Sequence, residues 1–142
     1  MKTRIYIFSL LGLLFSGYLS GVKFFSQKCA FGETCPLFFG YPACYFGFAM
    51  YVLLTLFSLF LVMRSNRESL LLKAIIVVSG LGILFAGYFT LGELPILFSY
   101  GFSVYFFGLP TCALGLIFYV AIFLLSIFQL FSFWKLPSIH QK

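Results

Sequence analysis

Residues 40–52, GYPACYFGFAMYV, decide the fold because the chain contains this stretch twice. The second copy is residues 108–120, GLPTCALGLIFYV. Aligned on each other, the copies share the pairs Gly40/Gly108, Pro42/Pro110, Cys44/Cys112, Gly47/Gly115, Tyr51/Tyr119 and Val52/Val120. In each copy a Gly-x-Pro turn precedes a long apolar run. Proline is tolerated at this point because the first N–H groups of a helix have no intrahelical acceptor. Each copy therefore predicts a helix whose first turn carries a cysteine.

A second match lies upstream of each copy. Residues 15–20, FSGYLS, match residues 85–90, FAGYFT, at an offset of 70, close to the offset of 68 between the Gly-x-Pro stretches. The two matches predict a duplicated two-helix unit. Its repeats cover about residues 8–63 and 78–133, within a single membrane domain of residues 1–142.

The composition indicates that the solvent of this protein is lipid. Hydrophobic residues make up 63% of the chain and charged residues 8%, far from the averages of soluble domains. Four apolar runs, at residues 5–22, 41–63, 74–92 and 109–133, each approach the ~20 residues that cross a bilayer as a helix. The sequence lacks the alternation of apolar and polar residues that is typical of the strands of a membrane β-barrel. The expected fold class is all-α, a polytopic membrane protein with four transmembrane helices arranged as two tandem hairpins in a four-helix bundle.

The first segment, MKTRIYIFSLLGLLFSG, has the basic start and apolar centre of a signal peptide. Residues 11–20 nevertheless match residues 81–90 inside the third apolar run. We therefore expect this segment to be retained as the first helix.

Basic residues in the short connections predict the orientation. With the N-terminus inside, the cytoplasmic side holds Lys2, Arg4, Arg64, Arg67, Lys73, Lys135 and Lys142, and the outer side holds Lys23 and Lys28. This bias predicts cytoplasmic termini in a bacterial inner membrane and places all four cysteines at the oxidising outer face. The scattered charges favour anionic headgroups of the lipid bilayer as partners and give no reason to expect nucleic acid.

Sulfur is the main chemistry that the sequence offers. Cys29 and Cys35 lie in the first outer loop, where they are interpreted as a structural disulfide, a redox shuttle, free thiols or metal ligands. Metal is disfavoured because no histidine is near and the spacing is not that of a zinc site. Cys44 and Cys112 begin helices 2 and 4, where the helix dipole favours a thiolate. They are interpreted as a redox pair, if the fold brings them within disulfide distance, or as small apolar residues.

Two further expectations concern the outer end of the bundle. Helix 3 is expected to end near Glu93. The apolar residues 94–107 are expected to form an interfacial segment or a short helix over the mouth of the bundle, the alternative being a segment of the aromatic belt. Lys23 and Glu93 hold equivalent positions in the two repeats. They are candidates for an ion pair, the alternative being two separate interfacial side chains.

The first half of the chain carries a series of short motifs within residues 8–52. They are Leu10-Leu-Gly, Ser16-Gly-Tyr-Leu-Ser, Lys23-Phe-Phe, Cys29…Cys35 and Gly40-Tyr-Pro-Ala…Gly47…Tyr51. This pattern resembles bacterial proteins of the vitamin K epoxide reductase family. The resemblance implies a four-helix membrane bundle that couples disulfide formation to reduction of a quinone. It also implies loop cysteines that shuttle electrons to a Cys-x-x-Cys at the start of the fourth helix.

The chain departs from that pattern at the fourth helix. A Cys-x-x-Cys with Cys112 would need a cysteine at position 109 or 115, where the chain has Leu109 and Gly115. Cys44 is the candidate for the missing partner.

The leading functional prediction is a membrane thiol–disulfide oxidoreductase. Cys29 and Cys35 would exchange with a soluble thioredoxin-like protein, and Cys44 and Cys112 would pass electrons to a lipophilic quinone. The alternative is a non-catalytic structural or partner membrane protein whose outer loop is held by a Cys29–Cys35 disulfide. A small transporter or channel is disfavoured because the spans lack charged residues.

Overall fold

Four long helices make up most of the computed structural model, which describes residues 1–26, 37–101 and 111–135. The helices are α1 (Lys2–Ser26), α2 (Ala43–Met63), α3 (Glu68–Tyr100) and α4 (Thr111–Lys135). Each is long and apolar enough to cross a membrane. The all-α class and the four predicted spans of an integral membrane protein are therefore confirmed.

Several predictions concern parts of the chain outside the described residues. These parts are residues 27–36, 102–110 and 136–142. The first contains Cys29 and Cys35, so the interpretation of this pair stays a prediction. The second contains residues 102–107, the last part of the apolar segment that was expected to cover the mouth of the bundle.

The third helix is longer than the sequence predicts. Its expected end near Glu93 is wrong, because α3 continues through Pro95 to Tyr100. A proline inside a helix removes one backbone hydrogen bond, and here the apolar residues on both sides continue the helical run. The helix ends where Gly101 takes a positive φ of 75°, with its N–H donating to the Leu97 carbonyl at 2.9 Å. Residues 94–100 are thus part of the third helix.

A small β-hairpin stands directly before α2. Its strands, β1 (Leu37–Phe38) and β2 (Tyr41–Pro42), pair in antiparallel fashion across a two-residue turn. Both turn residues have positive φ, 50° at Phe39 and 83° at Gly40, as a type I′ hairpin turn requires. Pro42 is the N-cap of α2, which confirms the predicted start of this helix at the Gly-x-Pro motif.

The helices contact one another in chain order around the bundle. α1 lies against α2, α2 against α3, α3 against α4, and α4 against α1. Along α1 and α2, Thr55 donates to the Ser9 carbonyl and Ser20 donates to the Cys44 carbonyl, each at 3.2 Å. Because the higher-numbered residue of α1 meets the lower-numbered residue of α2, the two helices are antiparallel. The start of α2 therefore lies beside the end of α1.

Small polar side chains occupy many of the contacts between the helices. Four serines are fully buried and donate to a carbonyl three or four residues earlier in their own helix: Ser9, Ser58, Ser79 and Ser126. A hydroxyl bonded in this way needs no partner on another helix, and its small size lets helices approach closely. Large apolar side chains instead point outward, for example Leu14, Leu84 and Phe131, which are more than half exposed. This distribution suits lipid as the solvent.

An ion pair joins two helices at the end of the bundle opposite the start of α2. Lys2, the first residue of α1, binds the carboxylate of Glu68, the first residue of α3. A carboxylate at this position also interacts favourably with the helix dipole. The predicted ion pair between Lys23 and Glu93, at the other end, stays a prediction.

Candidate functional site

A cavity of about 60 Å³ lies between the four helices, next to the first turns of α2 and α4. Every helix contributes to its wall, and the lining residues are Phe15, Ser16, Leu19, Ala43, Cys44, Gly47, Tyr51, Phe85, Ala86, Phe89, Thr111, Cys112, Gly115 and Tyr119. The lining is almost entirely apolar apart from the two cysteines and a few hydroxyl groups. The structure thus brings Cys44 and Cys112 to the wall of one largely apolar cavity.

The lining residues form pairs at the two sequence offsets. Residues of α1 and α3 pair at an offset of 70, as Phe15/Phe85, Ser16/Ala86 and Leu19/Phe89. Residues of α2 and α4 pair at an offset of 68, as Ala43/Thr111, Cys44/Cys112, Gly47/Gly115 and Tyr51/Tyr119. Each of the described lining residues has a partner at one of these offsets. The described wall therefore consists of residue pairs at these two offsets.

Both cysteines occupy the second position of a helix, Cys44 in α2 and Cys112 in α4. This confirms that each lies in the first turn of its helix as the structure describes it. The two side chains are half-buried, and no disulfide joins them to each other. Ser20 of α1 donates to the Cys44 carbonyl and holds the start of α2 against α1.

Two tyrosines lie about two helical turns beyond the cysteines. The rings of Tyr51 and Tyr119 stack with centroids 4.4 Å apart and planes inclined by 16°. Each phenol donates to a backbone carbonyl of the other helix: Tyr51 to Gly115 at 2.8 Å, and Tyr119 to Gly47 at 3.2 Å. Gly47 and Gly115 each follow a cavity cysteine by three residues. The reciprocal bonds therefore fix the spacing of α2 and α4 one turn away from the cysteines.

Each tyrosine ring rests on a glycine of a neighbouring helix. A Cβ atom added to Gly12 would lie 2.2 Å from Cε1 of Tyr51, and one added to Gly82 would lie 2.4 Å from Cδ1 of Tyr119. Real Cβ contacts are not this short, so only glycine leaves room for the rings. Sequence reasoning assigned no role to Tyr51 and Tyr119. Their identity in the two copies was the signal that could have found them.

The β-hairpin before α2 covers one side of the cavity. Phe38 of β1 packs edge-on against three rings, those of Phe46, Phe85 and Phe89, at centroid distances of 5.2, 5.3 and 6.2 Å. Phe85 and Phe89 themselves line the cavity. Edge-to-face contacts of this kind stabilise a defined arrangement of rings. The hairpin is thereby held over the α2–α3 side of the cysteine-lined space.

The volume of the cavity bears on the predicted quinone. Small-molecule pockets usually enclose roughly 300–1,000 Å³, whereas this cavity encloses about 60 Å³. Its apolar and aromatic walls suit a quinone ring chemically, but its volume is smaller than that of a typical small-molecule pocket. Binding of a quinone at this cavity stays a prediction.

The chain was also compared with known proteins. No protein-family model, no curated protein and no solved structure matches it. The resemblance to the vitamin K epoxide reductase family consequently stays a prediction.

The tyrosine hydroxyls offer a first test of how the cavity is held together. We expect Tyr51→Phe and Tyr119→Phe each to lower the free energy of unfolding by about 0.5–1.5 kcal/mol, because one interhelical hydrogen bond is lost while the ring stack remains. Thermal unfolding in detergent measures the effect. Tyr88→Phe is the control, since this ring is 72% exposed on the surface of α3. If Tyr51→Phe and Tyr119→Phe were as stable as Tyr88→Phe, the reciprocal hydrogen bonds would contribute nothing to the free energy of unfolding.

Proposed function

We propose that this chain is a membrane thiol–disulfide oxidoreductase similar to the vitamin K epoxide reductase family. One observation carries the proposal: Cys44 and Cys112 line the same small cavity, each in the first turn of a membrane-spanning helix. A pair of thiols that share an apolar space and a helix-dipole environment is suited to reversible disulfide formation. The pairing of Cys112 with Cys44 replaces the Cys-x-x-Cys that the family resemblance implies.

The proposed architecture is a tandem duplication of a helical hairpin. Its repeats are about residues 8–63 and 78–133, related by a pseudo-two-fold axis along the membrane normal. Three features support this interpretation: the paired lining of the cavity, the reciprocal tyrosine bonds and the two glycines beneath the rings. In such an arrangement equivalent positions of the two halves approach each other near the axis. Duplication would thus explain how two cysteines 68 residues apart reach one cavity.

The proposed orientation has both termini in the cytoplasm of a bacterial cell and the cysteine cavity at the outer face of the inner membrane. Among the described residues, five of the basic residues used in the orientation rule lie at the ends or turns away from the cavity: Lys2, Arg4, Arg64, Arg67 and Lys135. Lys23, near the end of α1, lies at the cavity end. The positive-inside rule supports this placement.

The proposed reaction moves one disulfide through the two cysteine pairs. When the thiols of Cys44 and Cys112 close to a disulfide, they release two electrons and two protons, which a lipophilic quinone takes up to become a quinol. A thiolate of Cys29 or Cys35 then attacks this disulfide through a mixed disulfide. The exchange leaves a Cys29–Cys35 disulfide and two thiols in the cavity. A soluble thioredoxin-like partner with two thiols reduces the loop disulfide and is itself oxidised.

Differential alkylation with peptide mass spectrometry tests the proposal on the purified full chain. We expect Cys44 and Cys112 to become linked when ubiquinone or menaquinone is added, and to return to thiols when a dithiol donor is added without quinone. The redox proposal fails if the two cysteines stay reduced in all conditions while only Cys29 and Cys35 are linked. That outcome would support the alternative of a non-catalytic membrane protein with a disulfide-held loop, which the small volume of the cavity favours.

A further inference from the structure

A groove lies at the turn between α2 and α3, at the end of the bundle opposite the cysteine cavity. It has a volume of about 800 Å³ and is lined by Phe60, Met63, Arg64, Asn66, Arg67, Leu70 and Leu71. The lining therefore combines two guanidinium groups and one amide with four apolar side chains. No carboxylate is among these described lining residues.

The positive charge of the groove is not neutralised by the nearest acidic residue. Glu68 follows Arg67 directly in the sequence, but its carboxylate is bound to Lys2 of α1. Arg64 and Arg67 are both exposed to the outside of the protein. Two exposed guanidinium groups in one groove can bind an anion, because each can donate two parallel hydrogen bonds to phosphate oxygens.

The apolar part of the groove indicates to which kind of molecule the bound anionic group belongs. Phe60, Met63 and Leu70 are 51%, 71% and 60% exposed, and they lie in the last turn of α2 and the first turn of α3. This level is where membrane-spanning helices leave the hydrocarbon and meet the headgroups. A free phosphate ion would leave these side chains uncovered, whereas the upper part of an acyl chain would pack against them.

We propose that this groove binds an anionic phospholipid. Its phosphate accepts hydrogen bonds from Arg64 and Arg67, and its acyl chains lie along Phe60, Met63 and Leu70. The ligand class follows from charge complementarity and from the position of the groove at the ends of two spans. The proposal rests on the membrane class of the fold and is independent of the proposed redox function.

Native mass spectrometry of the full chain in detergent tests this site with defined lipids. The probes are dioleoyl phosphatidylglycerol, which is anionic, and dioleoyl phosphatidylcholine, which carries a phosphate but no net charge. We expect the wild type to retain phosphatidylglycerol preferentially. The double variant Arg64→Gln/Arg67→Gln is expected to weaken this binding roughly 30-fold, if each basic residue at a lipid surface contributes about 1 kcal/mol.

The matched control removes the same charge from the same end of the bundle. Arg4→Gln/Lys135→Gln alters two exposed basic residues outside the groove and is expected to retain phosphatidylglycerol almost as well as the wild type. Equal losses in the two double variants would overturn the proposal in favour of diffuse surface attraction. Displacement of the lipid by millimolar sodium phosphate would overturn it in favour of a simple phosphate site.

A second variant keeps the test informative if the glutamine substitutions impair folding. Arg64→Lys/Arg67→Lys preserves both charges but replaces each planar donor pair with a single ammonium group. We expect partial retention of phosphatidylglycerol, between the wild type and the glutamine variant. Binding unchanged from the wild type would show that guanidinium geometry plays no part and would overturn the assigned phosphate contacts.

Discussion

Replacing Cys112 with serine is expected to reduce quinone-dependent oxidation of a dithiol donor to the background rate. The serine hydroxyl cannot form a disulfide, so Cys44 would lose the partner with which it shares the cavity. Cys44→Ser is expected to have the same effect, and the double variant to be no worse than either single one. This non-additivity is the signature of two residues that act as one unit. The measurement is quinol formation with the full chain in detergent or in vesicles.

Thr111→Ser provides the matched control for the cysteine variants. Thr111 also lines the cavity and directly precedes Cys112, but it has no sulfur. We expect this variant to oxidise the donor at close to the wild-type rate. Full activity of Cys44→Ser, together with loss in Cys112→Ser, would contradict the pairing of these two residues. It would point instead to exchange between Cys112 and the loop cysteines.

Replacing Gly12 or Gly82 with alanine is expected to destabilise the bundle by about 1–3 kcal/mol, the range for an added methyl group in a closely packed core. The added Cβ would overlap Tyr51 in the first case and Tyr119 in the second. Neither ring can readily move away, because the two rings are 98% buried, stack on each other and are hydrogen-bonded across the bundle. Unfolding of each variant in mixed detergent micelles measures the loss.

The same helices provide controls that separate packing from helix propensity. Within the described part of the chain, a Cβ on Gly21 of α1 or on Gly87 of α3 would meet no atom of a packed neighbour within 4 Å. Gly21→Ala and Gly87→Ala therefore change the helix propensity alone, which in water favours alanine by up to about 1 kcal/mol. We expect both to be as stable as the wild type or more stable. If Gly12→Ala behaved like Gly21→Ala, the contact between α1 and Tyr51 would not be as close as described.

The cysteine variants and the glycine variants both concern the approach of α2 to α4, at different depths in the bundle. The cysteines lie in the first turns of α2 and α4, and the tyrosines that connect these helices lie further along. A glycine variant that displaced a tyrosine would also change the separation of the helix ends that carry the cysteines. Gly82→Ala is therefore a useful addition to the alkylation experiment. We expect it to slow disulfide formation between Cys44 and Cys112 without altering either sulfur.

Much of the fold could be predicted from the sequence because its causes are local. Long apolar runs with few charges require a helix in lipid, since each backbone group then bonds within its own segment. The prolines and glycines before the second run mark the start of α2 at Ala43. The match between residues 40–52 and 108–120 also singled out Cys44 and Cys112 as equivalent positions. Local pattern and repetition were sufficient for these conclusions.

Only the tertiary structure decided how those positions are used. Tyr51 stacks on Tyr119, and each ring packs closely against a glycine of a neighbouring helix. These contacts join residues that are far apart in the chain. The same is true of the groove at Arg64 and Arg67, whose charge remains available because Glu68 binds Lys2 on another helix. The extension of α3 through Pro95 was missed since a proline after Gly92 and Glu93 resembles a helix end in sequence. Composition and periodicity determine which segments enter the membrane, but the faces that meet there depend on side-chain shape in three dimensions.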